Sequence, residues 1–161
     1  MLNTALQVLS KDGTVADNSY QLIGEDAVLP QGDVVLTVDQ LDQLANITGK
    51  KALLITVDAS PEVNEFPLDQ LDAIFIDFAG FNDGRGYSFA ALLRRQGFQG
   101  ELRATGDVFK DVLNYMKRSG FDTFVIKEGK DVQEAAAGLG DFTNPYQAST
   151  AVAQASYQTG A

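Results

Sequence analysis

Apolar residues in this chain fall into short unbroken runs separated by stretches with helical spacing. Ala52-Leu53-Leu54-Ile55-Thr56-Val57 and Ala73-Ile74-Phe75-Ile76-Asp77-Phe78 are nearly continuous apolar runs, the pattern of strands buried on both faces of a parallel sheet. Residues 34–38 read as a short apolar strand, and residues 102–105 and 123–126 as further short strands. Between them the period changes. Residues 39–47 predict a short helix closed by Gly49. Residues 87–96 place Phe89, Leu92 and Leu93 on one side of a second helix. Residues 107–119 place Val108, Val112, Leu113 and Met116 on one face of a third, and residues 131–139 predict a last one.

Upstream, the strings Ala5-Leu6-Gln7-Val8-Leu9, Thr14-Val15 and Tyr20-Gln21-Leu22-Ile23 flank the turn signal Lys11-Asp12-Gly13. They predict an N-terminal hairpin or extended arm, ended by Pro30-Gln31-Gly32-Asp33. Residues 58–67, with Pro61 and Pro67, read as loop. The expected fold is therefore one α/β domain over residues 1–142. Its sheet is mostly parallel with helices on both faces, and a half-barrel of βα units is the alternative geometry. Residues 143–161, rich in Ala, Gln, Ser and Thr, read as a flexible tail.

An internal echo supports the winding. Leu93-Arg94-Arg95-Gln96-Gly97-Phe98 and Met116-Lys117-Arg118-Ser119-Gly120-Phe121 share one pattern, and Gly106 and Gly129 follow at equal offsets. Each unit predicts a helix stopped by a left-handed glycine, a Phe that packs back on that helix, and then a strand.

Composition narrows the chemistry. The chain has 161 residues, no cysteine and no histidine. Disulfides, a thiolate nucleophile, iron–sulfur ligation, a Ser-His-Asp triad and ordinary zinc or haem sites are thereby excluded for this chain's own side chains. No metal and no cofactor are expected. Met1-Leu2-Asn3-Thr4-Ala5-Leu6-Gln7-Val8-Leu9 lacks a positive charge and a long apolar run. Neither a signal peptide nor a bilayer span is expected, which leaves the cytoplasm. The net charge of −10 argues against nucleic acid and anionic membranes as partners. That charge is uneven, because residues 73–130 hold nine bases and seven acids. The segment suits a small anion or an acidic partner patch, or simply helices with basic ends.

The basic pairs Arg94-Arg95 and Lys117-Arg118 lie in last helical turns, where cations favour the dipole. Asn82-Asp83-Gly84-Arg85-Gly86 with Tyr87 and Ser88 is the main candidate, a loop between a buried strand and a helix. Open α/β sheets bind ligands at that edge. Its glycines would let backbone amides turn toward an anion, and Arg85 would grip it. The competing reading has Asp83 or Ser88 capping the helix and the glycines making the turn. The spacing is not a dinucleotide fingerprint, and no Walker lysine is present. Thr105-Gly106-Asp107 occupies the equivalent edge after the next strand, with Asp107 expected as an N-cap. Asp77 could face the same crevice. Arg103 and Glu101, two apart in a strand, share a face and can pair.

Ile76-Asp77-Phe78, Asp83-Gly84-Arg85-Gly86-Tyr87-Ser88, Leu92-Leu93-Arg94, Gly100-Glu101-Leu102-Arg103-Ala104-Thr105-Gly106-Asp107-Val108 and Gly120-Phe121-Asp122-Thr123-Phe124 occur in that order. This run resembles the bacterial domain of unknown function 934 family. Proteins of that family are often labelled probable oxidoreductase, and their genes tend to neighbour the sulfite reductase haemoprotein. The resemblance implies a role in assimilatory sulfate and sulfite reduction as an accessory protein or partner, and it implies no catalytic residue. Ala79-Gly80 stands where the family pattern has Pro-Lys, Ala91 where it has Arg, and Val112 where it has Gln.

Three expectations follow. The first is a non-catalytic partner of the sulfite reductase haemoprotein, using a cationic face around Arg85 and Arg103. The second is a small enzyme or anion-binding protein with its site at Asp83–Ser88. The third is a homo-oligomeric structural protein.

Overall fold

A computed structural model of the chain describes residues 7–23, 28–56, 66–80 and 84–141. The tail at 143–161, most of the loop at 58–67 and the start of the first apolar run lie outside the described residues. Among the described residues there are eight strands: β1 (Gln7–Ser10), β2 (Val15–Asp17), β3 (Gln21–Leu22), β4 (Val34–Leu36), β5 (Lys51–Thr56), β6 (Ala73–Phe78), β7 (Glu101–Gly106) and β8 (Thr123–Phe124). The α-helices are α1 (Gly84–Arg95), α2 (Leu113–Arg118) and α3 (Val132–Asp141). Val38–Asn46, expected as a helix, is a 3-10 helix, and shorter ones span Leu68–Gln70 and Lys110–Val112. Among the described residues no helix is long and apolar enough to cross a membrane.

The strands form one sheet in the order β2-β1-β8-β7-β6-β5-β4-β3. From β3 to β8 every neighbouring pair is parallel and consecutive in sequence. The β1–β2 hairpin adds antiparallel strands at the β8 edge. When each strand joins on the same side of its predecessor, right-handed connections all fall on one face. The core agrees. Ala90, Leu93, Leu113, Met116, Ala135 and Leu139 from the helices share a cluster with Leu53, Ile55, Ile74, Ile76, Leu102 and Ala104 from the sheet. The opposite face holds Tyr20, Val35, Ala52, Leu54, Ala73 and Phe75, and among the described residues no helical one joins them. The fold is α/β with a mostly parallel sheet, and the described helical residues of the core lie on one face of it.

The two edge strands β2 and β3 are separated only by residues 18–20. A chain extends at most about 3.6 Å per residue, so the sheet must curl until its edges lie close together. Helices pack outside the curl, and the second cluster lines its inner face.

The echoed units end alike. Phe98 N donates to Leu93 O at 3.0 Å and Phe121 N to Met116 O at 3.2 Å. Gly97 and Gly120 sit at φ +98° and +115°. Both phenylalanines are buried, giving the Schellman turn with its hydrophobic contact. At the N-terminal end of the sheet, the residue before each of β4, β6 and β8 is an aspartate that pins a neighbouring strand. Asp33 accepts from Lys50 N at 2.8 Å, Asp72 from Lys51 N at 2.9 Å and Asp122 from Leu102 N at 3.0 Å. The Lys50 N–H, then the Ser19 hydroxyl, hold the Asp33 carboxyl below its ordinary range.

Candidate functional site

The C-terminal ends of β5, β6 and β7 bring together much of what the sequence singled out. Thr56, Asp77 and Thr105 stand level across these three strands. They alternate with Ile55, Ile76 and Ala104 of the outer cluster, so they face the inside of the curl. Thr105 is fully buried and donates its hydroxyl to Asp77 Oδ1 at 2.8 Å. Asp77 thus lies on the inner face of the sheet, and Thr105 is the partner that orients it.

The next row inward is Leu54, Phe75, Arg103 and Thr123. Arg103 is only 5 % exposed. Its Nε donates to Glu101 Oε2 at 2.9 Å and Thr123 Oγ1 at 3.3 Å, and its Nη1 to Asn18 Oδ1 at 2.9 Å. Nη2 completes the ion pair with Glu101 at 2.8 Å. The guanidinium lies over Phe75 at 4.4 Å and Tyr20 at 5.3 Å from the ring centroids. A buried cation has to be paired and hydrogen-bonded, and this one is. Arg103 therefore ties the inside of the curled sheet together. Arg103, expected on a cationic face with Arg85, is instead turned inward by β-strand alternation.

Helix α1 begins at Gly84, three residues before the expected start. Gly84, Arg85 and Gly86 are thus its first turn and not a loop. Gly86 is buried against the Phe78 ring, which a Cβ there would overlap, whereas Gly84 has open space around it. Packing therefore accounts for Gly86. Arg85 and Ser88 are exposed, and Asp83 lies outside the described residues. Tyr87 packs its ring 5.0 Å from Phe78 and 4.6 Å from Tyr115 of α2. Burial, with a smaller contribution from Tyr115, pushes the Tyr87 hydroxyl up from its ordinary pKa. Tyr115 is 53 % exposed, so aromatic surface continues from α1 onto α2.

Gly106 closes β7, its Cα so near the Phe78 carbonyl that no side chain fits. Asp107 does not cap a helix as expected. Val108 is buried, the chain stays outside helix through Phe109, and Phe109 holds the cap position of the 3-10 helix. The Asp107 carboxylate instead meets Lys127 Nζ at 2.8 Å. Lys127, Thr56 and Tyr115 were not singled out by sequence reasoning, and no local signal marks them. Beside the pair is a pocket of about 200 Å³ lined by Phe109, Lys110, Ile126, Lys130, Asp131 and other residues. Among the described residues no group of three or more histidines, cysteines, aspartates or glutamates could hold a metal ion.

The fold and this end of it define an α/β protein with a curled, mostly parallel sheet. Residues 52–157 match the family described as bacterial protein of unknown function (DUF934), and the chain belongs to that family. No curated protein and no solved structure matches the chain.

Proposed function

We propose that this protein is an accessory component of assimilatory sulfite reduction in the cytoplasm, a non-catalytic partner that docks on the sulfite reductase haemoprotein. The observation that carries the reading is the difference in burial between two arginines of the family-like run. Arg103 is buried inside the sheet, while Arg85 is exposed in the first turn of α1. That turn also carries Tyr87, which continues into the exposed Tyr115. Arginine and tyrosine are the residue types most enriched at interface hot spots. The inner face, by contrast, is filled by Tyr20, Phe75 and Arg103.

Titration calorimetry of the purified haemoprotein with the unmodified chain, Arg85→Glu and Tyr115→Ala tests this. The reading expects binding by the unmodified chain and at least about tenfold weakening in each variant. No heat of binding from the unmodified chain contradicts it. A second reading, a small-anion site at the same first turn, is favoured by the helix N-terminus beside Arg85. It expects sulfite to bind in the absence of the haemoprotein, with binding lost in Arg85→Ala.

A further inference from the structure

We infer that the opposite, N-terminal end of the sheet carries a second interaction surface, a cationic rim that takes acidic polypeptide segments. Helices α1 and α2 run back from the C-terminal end and finish at Arg94-Arg95 and Lys117-Arg118. The β1–β2 turn reaches the same place. Lys11 N donates to Asp122 O at 2.9 Å, and Lys11 Nζ pairs with the Asp122 carboxylate at 3.1 Å. Five cations thus meet at one end, with Asp12 and Asp122 among them and Asp69 and Asp72 bordering the β6 side.

The acids within the rim are already engaged. Asp122 accepts from Lys11, Arg94 and Leu102 N. Asp12 is held in its charged form first by the Thr14 N–H and hydroxyl, with Lys117 adding a small part. Arg94 is also occupied, donating to the carbonyls of Phe98, Gly100 and Gly120. Arg95 and Arg118 differ. They hold the same place in the two echoed units, both are exposed, and neither makes a hydrogen bond or ion pair among the described residues.

Charge selects the partner. The chain as a whole carries −10, so the field beyond the rim repels an extended polyanion such as nucleic acid. A short carboxylate-rich stretch of another protein is oriented by this separation of charge, and guanidinium forks match carboxylates bidentately. The rim is distinct from the Arg85 face and does not depend on the reading above.

The test is fluorescence anisotropy of a labelled polyglutamate peptide with the full chain at low ionic strength. The unmodified protein should bind, and binding should fade near physiological salt, where the screening length is about 8 Å. Arg95→Glu/Arg118→Glu should weaken binding at least about tenfold, Arg95→Gln/Arg118→Gln should weaken it less, and Lys130→Glu, beyond the C-terminal end of β8, should leave it unchanged. Absence of binding by the unmodified protein overturns the proposal, as does equal binding by both double variants. Tighter binding of a single-stranded oligonucleotide of equal charge overturns the assignment of partner class.

Discussion

The guanidinium of Arg94, at the end of α1, meets the carboxylate of Asp122, just before β8, at 2.6 Å. The same side chain donates to the carbonyls of Phe98, Gly100 and Gly120, so one residue fastens both echoed turns. Arg94→Ala should destabilise the fold by about 2–4 kcal/mol, since several carbonyls and a carboxylate lose a charged donor together. Arg94→Lys should recover little, because an ammonium cannot span the fork. Urea unfolding of the two variants checks this. A loss below half a kilocalorie in Arg94→Ala would show that water replaces these bonds.

Arg103 predicts a larger effect. Arg103→Ala leaves Glu101 half-buried without its partner and opens space between Tyr20 and Phe75, with an expected cost of about 3–5 kcal/mol. Arg103→Met, which keeps the bulk, should cost less if paired with Glu101→Gln. Equilibrium unfolding of the singles and the double gives the coupling, and strict additivity would contradict the buried pair.

Two neighbouring glycines should behave oppositely. Gly86→Ala drives a methyl into the Phe78 ring and should cost about 1–3 kcal/mol. Gly84→Ala meets nothing within 4 Å in a helical turn and should be neutral or stabilising by up to about 1 kcal/mol. Thermal melts of both decide the matter, and equal effects would contradict the close approach of α1 to β6.

Tyr20 gives a pH signature. Burial first, then the charge of Glu101, pushes its hydroxyl well above the ordinary value, with Arg103 opposing. Folding therefore favours the neutral phenol. Its contribution is fully present below the unfolded pKa of about 10 and is lost as pH rises beyond it. Tyr20→Phe should flatten the alkaline decline in unfolding midpoint relative to the unmodified chain. Parallel declines would show that Tyr20 is solvated.

The strands β5 and β6 were legible because burial on both faces demands continuous apolar runs. The echoed turns were legible because a left-handed glycine followed by Phe has few other uses. The first turn of α1 was not. Low helix propensity marks Gly84-Arg85-Gly86 as loop, and only the distant Phe78 ring explains a glycine inside a helix. Asp107 has the chemistry of an N-cap, but burial of Val108 and the ion pair with Lys127 override it. The pairing of Arg103 with Glu101 could be read from their spacing. Its enclosure could not, since that depends on Asn18 and Tyr20, more than eighty positions away, and on a curl no local pattern encodes. Of the site residues, Asp77, Gly84, Arg85, Gly86, Tyr87, Ser88, Gly106 and Asp107 lie toward the C-terminal end, as their place at or after the ends of β6 and β7 requires.

The most direct test of the central claim is co-elution of the unmodified chain with the sulfite reductase haemoprotein from the same organism on a sizing column, at low and moderate salt. The account predicts a complex at low salt that weakens as salt rises. Clean separation of the two proteins at micromolar concentration under both conditions would contradict it.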